Sequence, residues 1–167
     1  HFTLDEGKTY PFRGRNVKIP LFEEVLMTFP NTRISVEVKQ PYPQAEENVI
    51  AVIDKCKARR RVVLAAAKHE ILVRLRRLAP EMCSGFSEKE IYWNYVFSRF
   101  HMGALAPKRG DVFQIPIDHN GTLVLNPKFI KHAQKYGKWI HVWTVDDPQV
   151  MEQIIHQKVH GIISDRP

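Results

Sequence analysis

The sequence predicts an α/β fold of parallel strands alternating with amphipathic helices. Short β-branched stretches recur from residue 33 to the end. Each is followed by a stretch whose apolar residues fall at helical spacing. Capping residues and glycine stops punctuate those stretches. A strand, a helix and another strand in succession imply right-handed crossovers between parallel strands.

The elements follow in order. A helix is predicted over about 20–29, then a strand over 33–38 (RISVEV) that alternates apolar and polar residues. A helix over 45–59 and a strand over 61–66 (RVVLAA) come next, then a helix over 68–79. The stretch 82–86 (MCSGF) is the weakest strand. Ser87 with Glu90 three positions on is a capping-box spacing and opens a helix over 87–101. A strand over 111–116 (DVFQIP) leads to a helix over 126–136, begun by Asn126-Pro127 and stopped by Gly137. A strand over 139–145 (WIHVWTV), a helix over 147–157 begun by Asp147-Pro148 and a strand over 160–164 (HGIIS) complete the chain. Two architectures suit six such strands, a doubly wound open sheet and a (βα)8 barrel. A complete barrel takes about 250 residues. The nucleotide-binding open sheet lacks its signature, because no glycine-rich phosphate loop follows a strand.

Composition narrows the class. The 167 residues suffice for one domain with a sizeable core, and 44% hydrophobic with 26% charged residues describes a folded globule. No apolar run is long enough to cross a membrane, and no signal pattern opens the chain. A start at His1 suggests a processed chain or a piece of a longer one. Cys56 and Cys83 lack metal-like spacing and read as two free thiols of a reducing compartment, so a cytoplasmic location is expected, with an extracytoplasmic one left open. The net charge of +7 would suit a polyanion, but the basic residues are scattered. KARRR (57–61) and RLRR (74–77) read as solvated helix faces.

Both architectures place working groups at the carboxyl ends of strands. Those ends carry Glu37 and Lys39, Gln114, Trp143 and Thr144, and Asp165. Glu37 and Lys39 are two apart on a strand and so share a face. They form either a strand-end ion pair or a chemical pair. Gln114 could bond substrate hydroxyls or fill the interior with polar groups. Trp143 could wall a substrate or pack in a core with Trp139. His141 reads as a core histidine. His69, His101, His132 and His156 read as surface or packing residues. Asp165 reads as structural, capping the turn after the last strand.

Two stretches at opposite ends carry a resemblance. YPFRGRNVKIPLFEEVL (10–26) followed by ISVEVKQP (34–41), and GKWIHVWTVDDPQVMEQIIHQKVHGIISDRP (137–167), are similar to motifs of the glycerophosphodiester phosphodiesterase family. The resemblance implies a TIM-type (βα)8 barrel with these six strands as the third to eighth. The domain would then span 1–167 and lack the family's N-terminal units, which carry a His-Arg-Gly strand end, a Glu-x-Asp pair and a His-Asp pair. It further implies metal-assisted hydrolysis of a small glycerophosphodiester to glycerol 3-phosphate and an alcohol. Glu37 would be one ligand of a divalent cation, Ca²⁺ or Mg²⁺. Lys39 would bind and stabilise the phosphate, and Trp143 would wall the glycerol moiety. Without the N-terminal motifs the chain alone is expected to be inactive. The alternatives are a phospholigand-binding or interaction module on the same fold, and a nucleic-acid binder resting on charge alone, which no aromatic–basic motif supports. Oligomeric state is left open.

The sequence departs from the family pattern at Leu21 and Phe22, and at Lys158, His160 and Ser164. A glycine is usual near Lys158. Its loss strains the turn if that position has positive φ.

Overall fold

The structure, a computed structural model, describes residues 19–39 and 45–166. The segment 10–18, which carries part of the family resemblance, and the His1 start lie outside them, as do residues 40–44.

Helix α1 (Phe22–Thr28) precedes β1 (Ile34–Glu37), α2 (Ala45–Lys55), β2 (Val62–Ala65) and α3 (His69–Leu78). Helix α4 (Glu88–Arg99) follows, then β3 (Val112–Pro116) and a small hairpin of β4 (Asp118–His119) and β5 (Thr122–Leu123). Helix α5 (Pro127–Lys135), β6 (Trp139–Trp143), α6 (Pro148–Ile155) and β7 (Gly161–Ile162) close the chain. Strands β1 and β2 pair in parallel, as do β3, β6 and β7. The stretch predicted as the weak third strand joins the two groups. It forms no strand of its own, only parallel bridges from Ser84 to Leu64 and from Gly85 to Val112. Gly85 N–H donates to Leu64 O at 2.8 Å and Phe86 N–H to Val112 O at 3.2 Å, so the parallel order runs unbroken in chain order. The β4–β5 hairpin had no sequence forecast. Asn120-Gly121 turns it, both with positive φ, a standard hairpin pair.

One hydrogen bond shows that this sheet curls. Gln114 Nε2 on β3 donates to Ser35 Oγ on β1 at 2.9 Å. Three strand steps separate them, about 14 Å in a flat sheet. Neither side chain spans that, so the strands bend round a common concave face, as in a barrel wall. Gln114 crosses above Gly85, where an added Cβ would lie 3.5 Å from its Oε1.

The outer face packs against the helices in two apolar cores. Leu26, Ile53, Leu64, Ile71 and Leu75 belong to the first, and Phe113, Ile115, Phe129, Ile140 and Ile154 to the second. Between them, behind Ser84 and Gly85, the filling is polar. Arg76 and Glu90 form an ion pair there at 2.7 Å, with 8% and 7% of their side chains exposed. Arg76 also donates to Ser84 Oγ and to Gly85 O, at 2.9 and 2.6 Å. Reading RLRR as a solvated face is therefore corrected at Arg76. It is the one guanidinium of that run aimed at a polar gap, and the gap exists because Ser84 offers no apolar side chain. Arg61 also departs from a solvated role. It donates to Leu26 O, Phe29 O and Thr32 O at 2.6–3.2 Å, neutralising the carbonyl end of α1.

The caps match their forecasts. Ser87 Oγ accepts from Glu90 N–H, and Glu90 Oε2 accepts from Ser87 N–H at 2.9 Å. Asn126 and Asp147 accept from the first-turn N–H groups of α5 and α6. Gly137 ends α5 with φ 63°. The helix forecast over 45–59 stops early, at Lys55. Lys57 N–H donates to Asp54 O, Ala58 N–H to Ile53 O, and Lys57 takes φ 52°, a Schellman ending built without glycine.

Candidate functional site

The site sits where β1, β3 and β6 end. Alternation sends Ile140 and Val142 into the core and Trp139, His141 and Trp143 to the concave face. Register places Pro116 beside Trp143 and Gln114 beside His141, while Ser35 and Glu37 pair with Val63 and Ala65. The concave face thus has two levels. Ser35, Gln114 and His141 form a polar layer. Glu37, Pro116 and Trp143 lie one step nearer the carboxyl ends, with Lys39 beyond Glu37.

Lys39 Nζ lies 3.4 Å from a Glu37 carboxylate oxygen, and the two side chains are 76% and 44% exposed. An ion pair so exposed is worth about 0–1 kcal/mol. Its members therefore separate at little cost. The carboxylate is free to turn to a cation and the ammonium to an anion. Trp143 is 41% exposed at the end of β6. Trp139 is equally open and stacks on His160, with ring centroids 5.7 Å apart and planes 4° apart. Gln114 lies two residues below the end of its strand with its amide nitrogen engaged by Ser35. Sequence reasoning missed Ser35. Its signal was its place two residues before Glu37 on the same strand face.

Burial, and secondarily His160, hold His141 below the usual imidazole pKa, so it is neutral near pH 7. Asp165 does not cap the final turn, which corrects that expectation. Asp146 does so instead. It accepts from Ser164 Oγ at 2.9 Å and from Asp165 N–H at 2.8 Å, tying the chain after β6 to the chain after β7. His132 is a packing residue, buried and bonded through Nε2 to Asn94 Oδ1 at 2.8 Å. Cys56 and Cys83 are free thiols, and burial with Asp111 nearby pushes Cys83 up to about 11.

Glu37 offers the hard oxygen that Ca²⁺ or Mg²⁺ takes. Among the described residues, however, no three His, Cys, Asp or Glu side chains come together as a metal site. Glu37 alone does not fit a resident cation, which needs about six oxygen ligands. Two cavities, of about 470 and 410 Å³, lie elsewhere. The first opens between α5 and α6 and the second beside Cys83, Arg109 and Asp111 at the opposite strand ends. The first has no acid in its lining, and the second gathers Glu81, Asp111 and Arg109 at the amino ends of strands rather than the carboxyl ends, so the lip at Glu37 remains the candidate.

Comparisons with known proteins point to one family. Residues 2–167 match the model of the glycerophosphoryl diester phosphodiesterase family. The chain is 27% identical over 158 residues to "Probable glycerophosphodiester phosphodiesterase 2" of Mycobacterium tuberculosis, covering 92% of this chain and 59% of that one. It is 26% identical over 169 residues to the glycerophosphodiester phosphodiesterase of Caldanaerobacter subterraneus, covering 98% and 65%. The chain thus spans less than two thirds of the length of these curated relatives. Its fold resembles that of the Agrobacterium tumefaciens glycerophosphodiester phosphodiesterase, with TM-score 0.68, 19% identity and coverage of 89% and 60%. It also resembles an Oleispira antarctica phosphodiesterase solved with the product sn-glycerol-3-phosphate, with TM-score 0.60, 15% identity and coverage of 89% and 58%. A curled parallel sheet in chain order with helices outside it is an α/β fold of TIM type, and the chain belongs to the glycerophosphoryl diester phosphodiesterase family.

Proposed function

We propose that this chain carries the phosphate-facing wall of a phosphodiesterase that splits glycerophosphodiesters. The observation that carries the reading is the open Glu37–Lys39 pair on the same concave lip as Trp143. Water adds to phosphorus, the bond from phosphorus to the alcohol oxygen breaks, and the alcohol leaves with a proton. Glycerol 3-phosphate is the other product. The family match and the product complex of the Oleispira relative support that substrate class.

Each residue has a part. Lys39 places an ammonium against the phosphate oxygens, where charge develops as the bond breaks. Trp143 covers the carbon face of the glycerol moiety. Gln114 gives its nitrogen to Ser35 and keeps Oε1 for a hydroxyl at that depth. Glu37 is one oxygen ligand toward a divalent cation that also needs partners other than the described residues. On this reading the six strand positions are the third to eighth of a barrel, and residues 1–167 alone turn over little or no substrate.

The test is hydrolysis of glycerophosphocholine and glycerophosphoethanolamine by the full-length protein with Ca²⁺ or Mg²⁺. Glu37→Gln and Lys39→Met should each lower kcat/KM by about 10²-fold or more. Both side chains are exposed, so the circular dichroism spectrum should stay as it is. Full activity in both variants would overturn the assignment. Binding of glycerol 3-phosphate without turnover by the full-length protein would favour a ligand-binding module instead.

A further inference from the structure

Helix α4 packs Ile91 and Tyr95 against the second core, yet its most buried positions are not apolar. Its buried positions are polar, namely Glu90, Asn94 and Ser98, with the N-cap Ser87. Its outward positions are aromatic. Tyr92 is 60% exposed and Trp93 42%, and the turn beyond the helix exposes Phe100, Met102 and Leu105. Trp93 stacks on Phe97 at 5.7 Å, and Tyr92 meets Trp93 edge-on at 5.4 Å. The helix cannot roll over to hide these rings. Glu90 is held by Arg76, and Asn94 by His132, Glu90 O and Pro107 O. Rolling would leave Arg76 charged, buried and unpaired.

We propose that α4 and the turn after it dock on the surface of an anionic lipid bilayer. Trp and Tyr beside Phe, Met and Leu is the composition that settles at the boundary of headgroups and acyl chains. The surrounding charge suits that partner. Lys89, Arg99, Lys108 and Arg109 are exposed in this segment, against Glu88 as the exposed acid, because Glu90 is neutralised by Arg76. Lys108 and Lys135 reach over the Tyr136 ring and extend the basic rim toward α5. A second copy of the chain would bring this same cationic rim against itself. An anionic bilayer would complement it. No helix among the described residues is long and apolar enough to cross a membrane, so the contact lies on the surface.

The test is co-sedimentation of the purified protein with vesicles of phosphatidylcholine alone and of phosphatidylcholine with phosphatidylglycerol in equal parts. The protein should pellet with the anionic vesicles, and high salt should weaken that binding. Trp93→Ser with Phe100→Ser should lower the partition coefficient at least about tenfold, the loss expected from two apolar rings. Phe100→Ser alone, on the most exposed ring, should lower it in part without disturbing the fold. Arg99→Gln with Lys108→Gln should weaken binding and flatten its salt dependence. Absence of binding to anionic vesicles would overturn the proposal. So would serine variants that bind like the parent, because net charge alone would then explain the result. Self-association lost in the serine variants, without vesicle binding, would make the face an interface between copies and would equally overturn it.

Discussion

Gln114 and Ser35 are joined across the concave face by a 2.9 Å hydrogen bond that spans 79 positions of sequence. It ties β3 to β1 over the gap where the third strand is reduced to Ser84 and Gly85. Such a bond is worth about 0.5–1.5 kcal/mol. Ser35→Ala and Gln114→Leu should each destabilise the protein by that order in urea unfolding. The double variant should cost less than the sum of the two, by about 1 kcal/mol. Additive losses would mean that the bond does not couple the two halves.

Arg76 and Glu90 predict a sharper asymmetry. Removing one partner of a buried ion pair costs about 3–5 kcal/mol, because the other charge is left in a dry site. Glu90→Ala should show that loss and also strip the cap from Ser87 N–H. Arg76→Met combined with Glu90→Leu should recover much of it, since two apolar side chains leave no buried charge. Urea midpoints of these two variants and the parent decide the matter. A double variant no more stable than Glu90→Ala would contradict the account.

Acid should loosen the fold in two stages. Burial opposes ionisation of Glu90, but hydrogen bonds from Arg76 and Ser87 N–H together with the Arg76 charge outweigh it and hold the carboxyl below its ordinary 4.5. A depressed carboxyl stabilises the fold above its ordinary pKa and loses that effect as pH falls through the folded value. Burial, and then Lys135, hold His132 below its ordinary 6.5. There too the unfolded chain binds the proton first, so stability declines as pH falls below about 6.5. His141 adds to the same stage. His132→Gln should shrink the upper stage in a series of urea midpoints against pH and leave the lower one. An unchanged upper stage would assign it to other groups.

How much of this was legible in the sequence follows from where each signal resides. Helices α4, α5 and α6 were readable because Ser87, Asn126, Asp147 and Gly137 act locally, through the backbone next to them. The strands at 34–37, 112–116 and 139–143 were readable because alternation is a property of the strand itself. The pairing at 82–86 was harder, since a stretch this small and polar becomes part of the sheet only through neighbours on both sides. Glu37, Lys39 and Trp143 stood out by their place at strand ends. Ser35 and Arg76 did not, because each matters through a partner distant in sequence. Hydrophobic patterning carries no mark of the polar filling behind Ser84 that engages Arg76, or of the bond to Gln114 across the concave face that engages Ser35.

Lys158 offers the last test. It follows α6, donates its N–H to Ile155 O at 3.2 Å and holds φ 61°, in a position where the family pattern has a glycine nearby. Left-handed backbone costs an L-residue about 1–2 kcal/mol. Glycine removes that cost and gives back part of it as freedom in the unfolded chain. Lys158 is exposed, so its side chain contributes little packing to lose. Lys158→Gly should therefore stabilise the protein by about 0.5–1 kcal/mol, a rise in Tm of about 1–4 °C. Gly137 holds φ 63° at the end of α5, and an added Cβ would meet nothing within 4 Å. Gly137→Ala should therefore cost a similar amount through backbone strain alone. Opposite signs from these two variants would place the strain in the backbone. A loss in Lys158→Gly would show instead that the lysine side chain does more at that turn than its exposure indicates.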